Sequence, residues 1–87
     1  MRTLIEAGSS RAPRLTTGAH VHLVPAAPSL WRVVDPGGIV IGHLQETVHP
    51  AGVRFRARRL HATSHRFRDL GEFWSADEAV ECLRFAR

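Results

Sequence analysis

The chain has 87 residues, a formal net charge of +4 and a sequence pI of about 11.3, and it contains no apolar run long enough to span a membrane. A chain this short buries only about 60% of its unfolded surface, so it is read as one small domain of modest stability, and its single cysteine, Cys82, excludes an internal disulfide. The N-terminus lacks the charged, apolar and small-residue succession of a signal peptide, so a cytoplasmic protein with no membrane partner is expected.

All twelve basic side chains are arginine, and Asn and Tyr are missing as well as Lys. That pattern reads as a codon bias towards G and C, so the choice of Arg over Lys says nothing by itself about phosphate recognition. The placement of charge is more informative. Six arginines and no acid lie between Val53 and Arg68, whereas five acids and no Arg lie between Asp69 and Glu81. A basic sheet side and an acidic helix side follow as the expectation.

In chain order, residues 1–29 are rich in Ala, Gly, Ser, Thr and Pro and read as a flexible arm made basic by Arg2, Arg11 and Arg14. Leu4 and Ile5 are available to dock elsewhere. Within the arm, Ala19 to Val24 alternates in a way that suits a short strand, with His20 and His22 on one face and Val21 on the other. It could add to a sheet edge or cover apolar surface, and Pro25 and Pro28 are expected to break the chain after it.

Leu30 to Thr47 predicts a hairpin, two runs of branched residues around Asp35-Pro36-Gly37-Gly38, where Pro fixes φ and Gly tolerates positive φ. His49-Pro50-Ala51-Gly52 predicts the next turn by the same chemistry. Val53 to Leu60 alternates with period two, so Val53, Phe55 and Ala57 point to one face and Arg54, Arg56 and Arg58 to the other. Residues 61–65 predict a loop, and a short strand then runs from Arg66 into Leu70-Gly71-Glu72-Phe73. Leu70 and Phe73 cannot share a face of a regular strand, so a bulge or bend at Gly71 is expected to turn both towards the helix.

The helix is the best-defined element. Ser75 and Glu78 make a capping box, in which the hydroxyl accepts from the Glu78 N–H and the carboxylate reaches back to Ser75. Trp74 before the cap is placed to staple onto Ala79. Asp77 and Glu78 suit the positive end of the helix dipole, and Arg84 and Arg87 the negative end. Ala79, Val80, Leu83 and Ala86 form an apolar stripe that needs a sheet to cover it, with Cys82 partly buried beside it. Asp77, Glu78, Glu81 and Arg84 then face solvent.

Leu70, Gly71, Phe73, Glu78 and Ala79 give this segment a pattern that resembles the end of the plant ethylene-response-factor DNA-binding domain, where a strand closing in Leu-Gly-x-Phe leads through a polar cap into a helix opening with acids and Ala. The arm-binding domains of tyrosine-recombinase integrases are similar, with a three-stranded sheet backed by one helix. The resemblance covers the C-terminal half of the chain. It implies a sheet lying in the DNA major groove, with Arg54, Arg56 and Arg58 as contact residues and Arg66 and Arg68 beside them. Without the resemblance, an Arg at every second strand position sets cations about 7 Å apart, comparable with phosphate spacing along one nucleic-acid strand, and binding of that kind weakens with salt.

Other readings stand beside this one. Phe55 alternates with the arginines and belongs to the core, Trp31 and Trp74 read as packing residues, and the side taken by Phe67 is open, so aromatic support for RNA is slight. Val34, Val40 and Leu44 alternate with Val33, Ile39 and Ile41, which puts apolar residues on both faces of the hairpin when one helix covers only one of them. A protein partner or a second copy bound through the sheet, as in a small regulator or inhibitor, would use that surplus. His20-x-His22 and His61-x3-His65 lack the further ligands that zinc needs, and no nucleophile, phosphate loop or paired acids in an apolar setting is seen, so neither a metal, a cofactor nor catalysis is expected.

The expectation is therefore an α+β domain over residues 30–87, a small antiparallel sheet of three to four strands packed against one C-terminal helix, preceded by the arm at residues 1–29. Its expected function is nucleic-acid binding, DNA before RNA, through Arg54, Arg56, Arg58, Arg66 and Arg68.

Overall fold

Turn chemistry and period-two alternation carry most of this chain into a single antiparallel meander. The computed structural model describes residues 11–15 and 20–85. Strands β1 (His22–Ala27), β2 (Leu30–Val34), β3 (Val40–His49), β4 (Gly52–Leu60) and β5 (Phe67–Phe73) lie side by side in sequence order, and helix α1 (Ala76–Phe85) follows the last strand. The α+β class and the lone C-terminal helix agree with the sequence. The sheet, however, has five strands rather than three to four.

The additional strand comes from the segment assigned to the arm. β1 pairs with β2 from His22 opposite Val34 to Ala27 opposite Leu30. Pro25, expected to break the chain, sits inside β1 opposite Trp31, and the register shifts between Pro25 and Ala27. An edge strand accepts Pro because the missing N–H can face away from the sheet. Pro28 and Ser29 then make the turn into β2, with Ser29 at φ 63°. Arg2, Leu4, Ile5, Ala19, Ala86 and Arg87 lie outside the described residues.

Both predicted hairpin turns form. At the first, the Asp35 carboxylate accepts from the Ile39 N–H at 2.9 Å, and Gly38 takes φ 87°. At the second, His49 pairs with Gly52 across Pro50 and Ala51. The loop at residues 61–65 is closed by the His61 N–H donating to the Arg66 carbonyl at 2.8 Å.

The helix lies across one face of β3, β4 and β5. Val33, Leu44, Ala57, Ala76, Ala79, Val80 and Leu83 form the buried cluster, with Phe55, Leu70, Phe73 and Cys82 packed against it. Leu15 from the N-terminal segment and Leu23 from β1 also pack on this cluster. β4 shows the predicted alternation, with Ala57 fully buried and Phe55 in the core. Val53 points to the same side but lies towards the hairpin end and stays 40% exposed.

The bulge in β5 is real, and Leu70 is its extra residue: Ala57 pairs with Gly71 while Arg58 pairs with Asp69. Leu70 and Phe73 both reach the core as expected. Gly71 is required by packing, since a Cβ there would come 2.8 Å from the Phe73 ring. A second register shift, between Val33 and Val34, leaves Ile41 without a β2 partner, and Ile41 packs against the core. Ile39 and Val40 remain exposed, at 64% and 46%.

The N-cap forms on one side only. Ser75 Oγ accepts from the Glu78 N–H at 3.0 Å, but Glu78 is exposed and makes no return bond among the described residues. Trp74 does not staple onto Ala79. Its neighbour Phe73 already faces the helix, so Trp74 falls on the other side of the sheet, where it is 54% exposed. No helix among the described residues is long and apolar enough to cross a membrane.

The helix seats tightly on the sheet at Gly42, where a Cβ would run into the Leu83 side chain and lie 3.0 Å from the Arg58 carbonyl. Gly42→Val should therefore destabilise the fold by about 1–3 kcal/mol, the usual cost of overpacking. Urea denaturation followed by circular dichroism measures this, and unchanged stability would show that the helix does not seat there.

Candidate nucleic-acid interface

Three cross-strand rows carry the arginines of the sheet face opposite the helix. Val24, Arg32, His43, Arg58 and Asp69 face one another across all five strands. Next to them run Gln45, Arg56 and Glu72, and then Thr47 and Arg54. Arg54, Arg56 and Arg58 are thus brought together as the alternation predicts, and Arg32 of β2 joins them. The run Leu30-Trp31-Arg32-Val33 held that signal, because a charged residue between two buried ones must face the other way.

The remaining predicted contacts are not assembled with these. Arg68 pairs with Arg59, whose guanidinium donates to the Leu83 carbonyl at 2.8 Å, so Arg68 lies on the helix side of the sheet. Arg66 precedes β5 in the loop and is exposed.

Two acids share the arginine face, contrary to the expected separation into a basic sheet and an acidic helix side. Asp69 Oδ1 accepts from Arg58 Nε at 2.8 Å, and Asp69 Oδ2 lies 3.8 Å from Arg56 Nε. Glu72 Oε2 lies 3.6 Å from Arg56 Nη2 and accepts from the Thr47 hydroxyl at 3.0 Å. His49 Nε2 is 3.2 Å from the same oxygen. The Thr47 hydrogen bond, with those of His49 and the nearby Arg54 charge, holds Glu72 below the usual carboxylate range. The acids reach this face because β5 returns beside β4, and the Leu70 bulge sets which residues oppose the arginines.

Aromatic rings hold two of the guanidiniums. The Arg54 guanidinium lies 4.3 Å from the Trp74 ring centroid and donates from Nη2 to the Glu72 carbonyl at 2.9 Å. Arg58 lies 4.5 Å over Phe67, whose ring also meets His43 edge-on with centroids 4.9 Å apart. Phe67 therefore belongs to the arginine face. Trp74 is likewise a member of this face and was read from sequence as a packing residue.

His43 is the one buried polar residue among those described, 7% exposed, and its Nδ1 has no hydrogen-bond partner there. Burial, reinforced by Arg32 and Arg58 on either side, keeps its pKa below the ordinary histidine value. The imidazole is accordingly neutral near pH 7 and adds no charge to the row. Among the described residues no group of three or more His, Cys, Asp or Glu is placed to hold a metal ion. Comparison of the chain with protein-family models, curated proteins and solved structures gives no match.

His43 and Glu72 both have pKa values lowered by folding, so each contributes stability that is present above its unfolded value and lost as pH falls through its folded value. The windows differ: loss through His43 begins below about pH 6.5, and loss through Glu72 below about pH 4.5. Burial raises the pKa of Glu46, which works in the opposite sense, so the test is a comparison: between pH 7 and pH 5 the urea midpoint of His43→Leu should fall less than that of the wild type, while Glu72→Gln leaves the wild-type change in place. An unchanged slope in His43→Leu would remove His43 as its source.

Proposed function

We propose that the protein binds nucleic acid, DNA in the first instance, through the sheet face opposite α1. The observation that supports this is the pairing pattern itself: Arg32, Arg54, Arg56 and Arg58 share the face opposite α1, and among the described residues Asp69 and Glu72 are the acids paired beside them. The surplus is cationic, and a polyanion releases counterions on meeting it. The guanidiniums of Arg54 and Arg58 are already oriented by Trp74, Phe67 and Asp69, which lowers the entropy lost when they engage a ligand.

Fluorescence anisotropy of labelled DNA at two salt concentrations tests the proposal. Binding that weakens steeply with salt is expected, and no binding at low salt would overturn it. Arg32 is exposed and faces Val24 and His43 rather than a carboxylate, so Arg32→Gln is a clean probe. It should reduce the salt slope by about one. Asp69→Asn should act in the opposite direction, tightening binding by about two- to fivefold, because it frees Arg58 and removes a repelling charge. Weaker binding by Asp69→Asn with the fold intact would instead mean that orienting Arg58 matters more than its charge balance.

A second reading, a protein partner, draws on the adjoining end of the sheet. Val40 and Leu60 are exposed at a depression of about 620 Å³ that they line with Ile41, His43 and Leu83. Binding there would survive Arg32→Gln and be lost in Leu60→Glu.

A further inference from the structure

Resting on the proposed function, we infer that the arginine face takes a single strand of DNA, with Trp74 as the platform on which an unpaired base stacks. The chain has two tryptophans, and they are used in opposite ways. Trp31 is 1% exposed and faces Leu44 on the helix side, whereas Trp74 is 54% exposed beside the arginines. The Arg54 guanidinium lies over one face of the indole, and about half of the residue stays exposed even so. Gly52, whose Cβ would be 3.8 Å from the ring, sets no side chain against it.

A large apolar ring open on a polar face suits a partner with a flat apolar surface. Bases inside a duplex are already stacked on one another and offer only their edges, whereas every unpaired base offers a π-face. The arginines supply the other half of a single-strand site, a cationic track along the backbone. Arg54 and Arg58 stand about 13 Å apart along β4, each on an aromatic ring, so the strip carries two cation–ring pairs. The choice of DNA over RNA follows the proposed function, and an oligouridylate probe tests it.

The test titrates the whole chain with three labelled probes, an oligothymidylate and an oligouridylate of about 12 nucleotides and a duplex of the same length, within the site sizes of such proteins. Oligothymidylate should bind most tightly and quench the emission of the exposed Trp74. Trp74→Leu, which keeps an apolar side chain but removes the π-face, should lose about tenfold or more in affinity for it, and Trp74→Phe should recover most of that loss. Thermal melts of both variants report folding, and because Trp74 lies outside the buried cluster both should melt near the wild type. Duplex binding at least as tight, with Trp74→Leu indifferent, would overturn the inference and leave the proposed function standing. Preference for oligouridylate would overturn the assignment to DNA. If none of the three probes binds at low salt, both the inference and the proposed function fail.

Discussion

The docking of Leu83 over Gly42 is the contact on which the rest of the molecule depends. Only glycine lets the helix come this near to β3, and Arg59 then ties the last turn down by donating to the Leu83 carbonyl. A helix of ten residues is too short to be stable alone and draws its stability from this contact and from Ala76, Ala79 and Val80. Once it is seated, the two faces of the sheet are no longer equivalent. Residues 53, 55 and 57 must serve the core, and residues 54, 56 and 58 must meet whatever lies on the other side.

That division explains which parts of the molecule were legible in the sequence. The alternation in β4, the two Pro- and Gly-bearing turns and the Ser75 cap are local, and each is decided within a few residues. The faces of β5 are not local. With a regular strand at Asp69 to Phe73 the pairing would run straight through, but the extra residue Leu70 shifts the register by one and turns Asp69 and Glu72 towards the same arginines. Nothing in the run of acids after Asp69 announces this, because it depends on which residue β4 chooses as partner. Trp74 is a consequence of the same register. Phe73 takes the inward position, so the indole cannot reach Ala79 and comes to rest on Arg54.

β1 was obscured for a different reason. The alternation from Ala19 to Val24 suits a strand that could join a sheet edge, but Pro25 is expected to end it, whereas β1 runs on to Ala27. The penalty of proline applies only where an N–H is needed, and β1 has a neighbour on one side alone. Edge position is what lets the strand continue through Pro25. The proline also blunts an edge that would otherwise be free to pair with another chain.

The carboxylates on the arginine face weaken its attraction for a polyanion, and the question is whether they abolish it. Arg56 and Arg58 keep 35% and 25% of their side-chain surface exposed, and Asp69 keeps 51%. Ion pairs at such exposure contribute about 0–1 kcal/mol, so the carboxylates hold these guanidiniums weakly. A phosphate or base edge can share a guanidinium with the carboxylate, because Asp69 takes Arg58 at Nε and among the described residues Nη2 has no partner. A long side chain that is free in solution loses about 0.5–1.5 kcal/mol when a ligand immobilises it. Arg54 and Arg58, held on Trp74 and Phe67, have already lost part of that freedom on folding. The acids and rings on this face therefore trade net charge for fixed geometry, an exchange that favours a ligand recognised by shape and stacking over one attracted by charge alone.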